Sequence, residues 1–257
     1  TTIIELEPTR DHSERMLIHF GAQVCVKDLS NGTKKISISG QPELTGTSIT
    51  VPGDFSSAAF AMVATLVVPS SSLKLTGIGL NPLRTGLLDT LQEMGGNITI
   101  SNKRLEGGEP VGDLTIVSSP LRGVTVPATR APSMIDEYPV LAVAAAYARG
   151  KTHLQGLSEL RVKESDRLTS MAKGLASVGV KVMETVDSLM IQGTGSVRGG
   201  ANIETALDHR IAMAFLVLGM ASKKPIKIDD GATIDTSFPG FIALMNGLGA
   251  NIEVTTI

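Results

Sequence analysis

The chain has 257 residues, a formal net charge of −2, 42% hydrophobic and 19% charged residues, and an isoelectric point of about 6.1. This length is enough for one large domain or two modest ones with a substantial core. Because basic residues are not in excess and the sequence has two tyrosines and no tryptophan, neither charge nor base stacking indicates a nucleic-acid-binding protein.

The first pattern along the chain is a helix that ends at a glycine and is followed by an alternating strand. It occurs four times, ending at Gly21, Gly95, Gly179 and Gly249. Glycine just past a helix supplies the left-handed conformation that closes many helices, and alternating valine or isoleucine predicts a half-buried strand. The predicted helices are 16–20, 87–94, 168–178 and 241–248, and the predicted strands are 22–26, 97–100, 180–182 and 251–254.

The second pattern is an aspartate that precedes an Ala-rich, apolar segment. Asp54, Asp136 and Asp208 precede predicted helices at 56–68, 138–149 and 211–221. Aspartate is a good N-cap, and helices that are apolar nearly all round are buried. Their apolar runs of about 10 or 11 residues are too short to span a membrane. A predicted strand follows each helix, at 73–76, 152–157 and 226–229.

Together the two patterns predict an α/β (α+β) protein of three repeated units, preceded by half of an earlier unit at residues 1–46. Each unit contains a buried helix, a strand, a polar corner, an outer helix and a hairpin. The predicted hairpins pair 24–26 with 35–39, 98–100 with 114–117, and 180–183 with 189–192. A single strand follows Gly249, so the last unit lacks a partner strand. Because an unpaired sheet edge is a liability, we expect a segment that precedes Thr1 to close this sheet.

The single cysteine, Cys25, lies in an alternating apolar run. We therefore expect it to be a core residue. One cysteine excludes an internal disulfide and fits a reducing compartment such as the cytoplasm.

The most highly charged segment is Leu160–Arg167, which lies between the predicted strand 151–156 and the helix 168–178. A helix that begins near Val162 would place Lys163 and Arg167 on one face, with Glu164 beside them. Two cations and a carboxylate at such a corner suit an anionic substrate to or from which a proton is moved. A solvated cluster of surface charges is the other interpretation, and this segment alone leaves it open.

Charged residues also lie at the corresponding corners of the other units, at Arg10, Asp136 and the triplet Asp208-His209-Arg210. Helix N-termini attract anions, so several of them converging would form an anion site. Other interpretations stay open: Asp54 and Asp136 as N-caps alone, His209 as a structural histidine, and an undetermined role for Arg84.

Five motifs in order resemble the 5-enolpyruvylshikimate-3-phosphate synthase family (3-phosphoshikimate 1-carboxyvinyltransferases), and the match is closest to the bacterial glyphosate-tolerant type. They are Thr-Arg-Asp-His (9–12), Pro-Gly-Asp-x-Ser-Ser (52–57), Ala-Pro-Ser-Met-Ile-Asp-Glu-Tyr-Pro (131–139), Leu-Arg-Val-Lys-Glu-Ser-Asp-Arg-Leu (160–168) and Leu-Asp-His-Arg-Ile-Ala-Met (207–213). The resemblance implies the inside-out α/β barrel of enolpyruvyl transferases, with two three-repeat domains and substrates in the cleft between them. Residues 1–46 would be the end of the first domain, and 47–257 most of the second.

The resemblance also implies a reaction. The enolpyruvyl group of phosphoenolpyruvate passes to the 5-hydroxyl of shikimate 3-phosphate and phosphate leaves, a step of aromatic amino acid biosynthesis. By the same resemblance, Asp136 accepts the hydroxyl proton, Lys163 contacts that hydroxyl, and Glu164 protonates the methylene carbon of phosphoenolpyruvate.

The remaining implied roles concern binding. Arg167 and Arg210 would hold phosphoenolpyruvate, Arg10 would contact shikimate 3-phosphate, and His209 would assist. The resemblance implies no metal or organic cofactor and no nucleic-acid or membrane partner. It implies a cytoplasmic enzyme, with glyphosate as a candidate inhibitor.

The chain departs from the family pattern in several places. An N-terminal Lys-Ser pair, two arginines and a Ser-Ala-Gln phosphate motif have no counterpart, and we expect them to precede Thr1. Glu159, Thr236 and Leu83 replace an Asn, a Lys and a Thr. We therefore expect the chain alone to be inactive or weakly active. The competing interpretations are the sister enzyme that acts on UDP-N-acetylglucosamine, whose catalytic Cys motif is not found, and a non-catalytic isolated domain or split-enzyme fragment.

Overall fold

The computed structural model describes residues 1–30 and 32–255. The first part of the chain forms a small antiparallel sheet with strand order β1-β3-β2 and one helix. Its elements are β1 (Thr2–Glu5), α1 (His12–His19), β2 (Val24–Asp28) and β3 (Lys34–Ile38). The predicted first hairpin is confirmed, since Val24 pairs with Ile38 and Val26 with Ile36.

The prediction that Cys25 is a core residue is wrong. Its side chain is exposed. The physical reason is that β2 is an edge strand of this sheet, and α1 has no buried residue that could cover it. Alternation in the sequence identified the strand but not whether anything packs on its face.

The second unit comprises α2 (Phe55–Val67), β4 (Ser72–Gly79), α3 (Gly86–Glu93), β5 (Asn97–Glu106) and β6 (Glu109–Val117). The third comprises β7 (Thr125–Val126), α4 (Tyr138–Tyr147), β8 (Arg149–Gln155), α5 (Arg167–Ser177), β9 (Lys181–Glu184) and β10 (Ser188–Thr194). Their sheets have the orders β4-β6-β5 and β7-β8-β10-β9, with both predicted hairpins in place. The last unit comprises β11 (Asn202–Ile203), α6 (His209–Gly219), β12 (Lys227–Ile228) and α7 (Phe241–Gly247).

The three Ala-rich helices form the centre of the molecule and the sheets lie outside them. Helices α2, α4 and α6 pack against one another, and every residue of α4 is buried. Their alanines leave narrow faces, which allow the helices to approach closely. A parallel pairing brackets each of them: β7 with β8, β11 with β12, and the single bridge between Gly53 and Ile78. The arrangement is an α/β fold with helices inside and sheets outside.

The predicted glycine caps are confirmed at all four positions. Gly21, Gly95, Gly179 and Gly249 have φ of 93°, 93°, 88° and 104°, the left-handed region that a side chain disfavours. No helix in the described residues is both long and apolar enough to cross a bilayer.

The predicted strand at 251–254 is not formed in the described part of the chain. Instead the side chain of Asn246 donates to the carbonyl of Ile252 at 2.9 Å and accepts from its N–H at 2.8 Å. The described residues offer no neighbouring strand here, so an amide side chain satisfies the groups that a sheet ladder would use.

Helices α5 and α6 approach closely because residue 174 is glycine. A Cβ at Gly174 would lie 2.1 Å from Cζ of Phe215. This contact brings together two helices whose first turns carry charged residues of the candidate site.

Candidate active site

The N-terminal ends of the central and outer helices meet at one place. Asp136 and Glu137 lie in a short 3-10 turn, Ile135–Glu137, directly before α4. Arg167 is the first residue of α5, and Asp208 is the N-cap of α6. Hydrogen bonds from Arg167 to Asp208 (2.8 Å) and to Asp136 (3.4 Å) join these ends.

Asp136 does not cap α4, which corrects the N-cap interpretation for this residue. The N-cap position is Glu137, and no side-chain capping bond is formed. Two features explain this. Pro139 in the first turn of α4 has no N–H that a capping side chain could bond. In addition, Asp136 lies inside the preceding 3-10 turn and not at the N-cap position.

The Asp136 carboxylate instead meets three arginines. Arg10 Nη2 lies 2.5 Å from Oδ2, Arg167 Nη1 lies 3.4 Å from Oδ1, and Arg210 Nη2 lies 3.9 Å from Oδ2. Burial raises the pKa of this carboxyl, but the attraction of Arg210 and the hydrogen bond and charge of Arg10 outweigh burial. The pKa of Asp136 therefore lies below its ordinary value, and the group is ionised at neutral pH.

Arg167 is fully buried and contacts three carboxylates. Its Nε donates to Asp208 Oδ2, its Nη1 to Asp136, and its Nη2 to Glu164. A guanidinium has five N–H donors, so these bonds leave part of it available for an incoming anion. Because Arg167 is covered, an anion reaches these donors only when a covering side chain moves aside.

Asp208 is also fully buried and accepts bonds from Ser165 Oγ and from the Arg210 N–H, both at 2.9 Å. Burial raises the pKa of this carboxyl, but the hydrogen bond and charge of Arg167 and the bond from Ser165 outweigh burial, so the pKa of Asp208 lies below its ordinary value. Asp208 thus caps α6 and also holds the guanidinium of Arg167 in place.

Helix α5 begins at Arg167, within one residue of the predicted helix 168–178, and not near Val162 as the shared-face interpretation of Lys163 and Arg167 required. A 3-10 turn ends at Val162, Lys163 has an extended backbone, and Asp166 caps α5 by accepting from the Thr169 N–H at 3.0 Å. Arg161 holds Asp166 at 2.9 Å. Because this cap sets the helix start, Lys163 and Arg167 do not share a helical face.

Lys163 and Glu164 therefore point to different partners. Lys163 forms an ion pair with Glu159, and its charge helps to lower the pKa of Asp136. Glu164 bonds to Arg167 and is about half exposed, with 52% of its side chain accessible. It is the most accessible carboxylate in contact with Arg167.

His209 is the first residue of α6. Burial, and then the charge of Arg210, lower the pKa of His209, and these effects outweigh the neighbouring Asp208. The imidazole is therefore neutral at pH 7. Among the residues expected at the site, Arg10, Asp136, Glu164, Arg167 and Arg210 are joined by direct contacts, and Lys163 and His209 flank them.

Sequence reasoning missed one cluster beside the site. Glu137 is 2% exposed and accepts a bond from Ser56 Oγ. Arg84 Nη2 donates to the same hydroxyl at 2.6 Å and lies 3.7 Å from Glu137 Oε1. The signal in the sequence was Glu137, a second acidic residue directly before a fully apolar helix. An acidic side chain that is buried with such a helix requires a buried partner.

Comparison with known proteins shows which family the chain belongs to. The family model described as EPSP synthase (3-phosphoshikimate 1-carboxyvinyltransferase) matches residues 1–245. The chain belongs to the EPSP synthase family. Two curated EPSP synthases, both named 3-phosphoshikimate 1-carboxyvinyltransferase, are 58% identical over 254 residues (Paramagnetospirillum magneticum) and 59% identical over 253 residues (Acidiphilium cryptum).

Solved structures agree with this family. EPSP synthase from Acinetobacter baumannii superposes with a TM-score of 0.92 at 45% identity, covering 100% of this chain and 58% of that one. The enolpyruvyl transferase NikO from Streptomyces tendae has a TM-score of 0.77 at 20% identity, covering 100% of this chain and 57% of that one, and shows the shared fold alone. The predicted enolpyruvyl transferase fold is confirmed.

The match includes nearly all of this chain but only part of each relative. The chain is covered to 98% by both curated relatives, but spans 57% and 56% of their length. These two relatives therefore contain a large part to which nothing in this chain corresponds.

Proposed function

We propose that this chain supplies one side of the active site of a 3-phosphoshikimate 1-carboxyvinyltransferase. The reaction transfers the enolpyruvyl group of phosphoenolpyruvate to the 5-hydroxyl of shikimate 3-phosphate and releases phosphate, in aromatic amino acid biosynthesis. The observation that carries the proposal is the Asp136 carboxylate among Arg10, Arg167 and Arg210, with Glu164 on the same Arg167. A base, an acid and cations for two anionic substrates lie within one cluster.

In this proposal Asp136 accepts the proton of the 5-hydroxyl. A carboxylate with a lowered pKa is a weak base, so proton transfer has to accompany formation of the C–O bond. Arg10 is the most exposed cation at Asp136, with 44% of its side chain accessible, and would contact the phosphate of shikimate 3-phosphate. Its departure from Asp136 would raise the pKa of that carboxyl and make it a better base.

Glu164 is proposed to protonate the methylene carbon of phosphoenolpyruvate, which its exposure supports. Arg167 and Arg210 would hold the phosphoenolpyruvate anion, Lys163 would contact the reacting hydroxyl, and a neutral His209 would assist. Phosphate then leaves the tetrahedral adduct while Glu164, deprotonated by the first step, takes a proton back from the new methyl group, which re-forms the C=C bond of the product. Lys163 has to leave Glu159 to take this role.

We further propose that full turnover requires the part of the family's length that this chain does not span. The proposed boundary, with residues 1–46 in the first domain and 47–257 in the second, is supported by the separate sheet β1-β3-β2. A cavity of about 740 Å³ between α2, α6, α7 and β12 supports an additional closing segment. Glyphosate inhibition and a cytoplasmic location remain predictions.

The test combines binding and turnover. The chain is mixed with the N-terminal segment of a relative, and phosphate release is measured with shikimate 3-phosphate and phosphoenolpyruvate. We expect release from the mixture, little or none from the chain alone, and loss of release in Asp136→Asn or Glu164→Gln.

The matched control is Lys103→Ala, because Lys103 is exposed on β5 and forms none of the hydrogen bonds or ion pairs described for the site. It should leave phosphate release unchanged. Replacing shikimate 3-phosphate by UDP-N-acetylglucosamine tests the sister activity. A mixture that folds and associates but releases no phosphate from the shikimate substrate would overturn the proposal.

A further inference from the structure

The corner between β4 and α3 carries a buried amide that bonds to the residue next to Arg10. Asn81 is 2% exposed. Its Nδ2 donates to Asp11 Oδ1 at 2.5 Å and to Glu109 Oε2 at 3.3 Å, while its Oδ1 accepts from the Leu83 N–H at 3.0 Å. The amide is therefore held in one orientation by three bonds.

The same bonds attach the start of α1 to the turn between β5 and β6. Arg15 donates to Asp11 at 2.8 Å and to the carbonyl of Gly108 at 3.4 Å. His12 Nδ1 lies 2.7 Å from Glu109 Oε1. Asn81 thus contacts Asp11, His12 and Glu109 in this cluster, and Asp11 directly follows Arg10 in the chain.

Three residues further along the same corner, Arg84 reaches the other side of the site. It donates to Ser56 and lies beside Glu137, and Ser56 also donates to Glu137. Glu137 directly follows Asp136 in the 3-10 turn. A buried carboxylate held by an arginine and a hydroxyl cannot shift without losing both partners, and leaving it unpaired is costly.

We propose that the corner Asn81–Arg84 is a positioning element of the site: Asn81 places Arg10, Arg84 places Asp136, and the corner thereby sets the ion pair between them. The proposal rests on the proposed function, because Arg10 and Asp136 are two of its residues. Both corner residues act through their neighbours and do not contact the substrates themselves in this proposal.

Arg10 needs such a positioning element because its own side chain is exposed. Arg10 has a long side chain that is 44% accessible, and an exposed arginine contributes little to holding its own geometry. Its contact at 2.5 Å with Asp136 therefore depends on how the two backbones are held. Pro82 stiffens the corner between the two anchors by fixing its own φ.

The experiment is a carboxyl titration by NMR on this chain, without substrate. It compares the pKa of Asp136 in the parent, Asn81→Ala, Arg10→Ala and the double variant. Loss of the Arg10 contact raises the pKa of Asp136. We expect Asn81→Ala to produce the larger part of the rise caused by Arg10→Ala, and to add nothing further in the Arg10→Ala background.

The internal control is Asp208, whose partners are Arg167 and Ser165, and whose pKa should not change. A merely structural role for Asn81 would shift both carboxyls or neither. An unchanged pKa of Asp136 in Asn81→Ala, or an equal shift of Asp208, would overturn the proposal.

A second variant guards against misfolding. Asp11→Ala removes the acceptor that Asn81 and Arg15 share, at a partly exposed position that makes no capping bond to α1. It should raise the pKa of Asp136 in the same direction, and no change would count against the proposal. Because the titration needs no turnover, its outcome and that of the phosphate-release assay are independent.

Discussion

The corners at Asp54 and Asp136 occupy equivalent places in two units but use their aspartates differently. Asp54 Oδ2 accepts from the N–H of Ser57 at 2.7 Å and from its hydroxyl at 2.9 Å, so it caps α2. Asp136 makes no cap and meets arginines from three other segments. A carboxylate that caps its own helix is occupied locally, whereas one released from capping is available for partners far along the chain.

Asp208 combines the two uses, because one oxygen caps α6 and the other accepts from Arg167. The difference among the three corners lies in the first turn of each helix. A 3-10 turn precedes α4, and Pro139 lies in the first turn of that helix. A site can therefore arise in one copy of a repeat by a change in how its helix begins.

The largest expected effect is at Arg167, which joins the Asp136 and Asp208 corners. Arg167→Ala leaves the fully buried Asp208 without its cation, and removing one partner of a buried pair costs about 3–5 kcal/mol. Urea unfolding monitored by circular dichroism measures the loss. Lys103→Ala is the control, with a change within about 0.5 kcal/mol. A loss for Arg167→Ala no larger than that of the control would show that the two corners are not coupled.

A smaller effect is expected where the aspartate is only a cap. Asp54→Ala should lower the free energy of unfolding by about 1 kcal/mol, because it removes the bond to the Ser57 N–H. Asp54→Asn keeps a good N-cap and should be nearly neutral. Equal losses for the two variants in the same unfolding assay would contradict a capping role.

The smallest expected effect is a change in how the free energy of unfolding depends on pH. It concerns Glu137, which links the two corners through Ser56. Burial raises the pKa of Glu137 above its ordinary value of 4.5, more than Ser56 and Arg84 lower it. The folded state therefore binds the proton more tightly than the unfolded state, and the stability from this group falls as pH rises through the folded pKa. Glu137→Gln should remove that fall.

The measurement is the free energy of unfolding at several pH values above 4.5 for Glu137→Gln and the parent. The stability of the variant relative to the parent should increase with pH. A constant difference across the range would contradict a buried carboxyl with a raised pKa.

Much of the fold was predictable because its signals are local. The glycines at 21, 95, 179 and 249 ended helices by their own conformational preference, and apolar length identified the buried helices. The strand at 251–254 and the burial of Cys25 were wrong for one shared reason. Both depend on what packs against a sheet, which no local pattern contains.

The candidate site shows the same limit. Its charged residues were predictable as a group, and their contacts bring five of them together. The helix 168–178 was predicted to within one residue, but the shared face of Lys163 and Arg167 was wrong, because Asp166 caps α5 and Lys163 lies before that cap with an extended backbone. Glu137 was missed because its partners, Ser56 and Arg84, are separated from it by 81 and by more than 50 positions in the chain.

The contact at Gly174 makes mutational tolerance at one position depend on a distant one. Gly174 lies seven residues after Arg167, about 10 Å along α5, and Phe215 lies seven residues after Asp208 on α6. Any side chain at position 174 would push the two helices apart, since even a Cβ would lie 2.1 Å from the ring. We therefore expect a larger residue at position 174 to be tolerated only alongside a smaller one at position 215, and otherwise to weaken the ion pair between Arg167 and Asp208 two helical turns away.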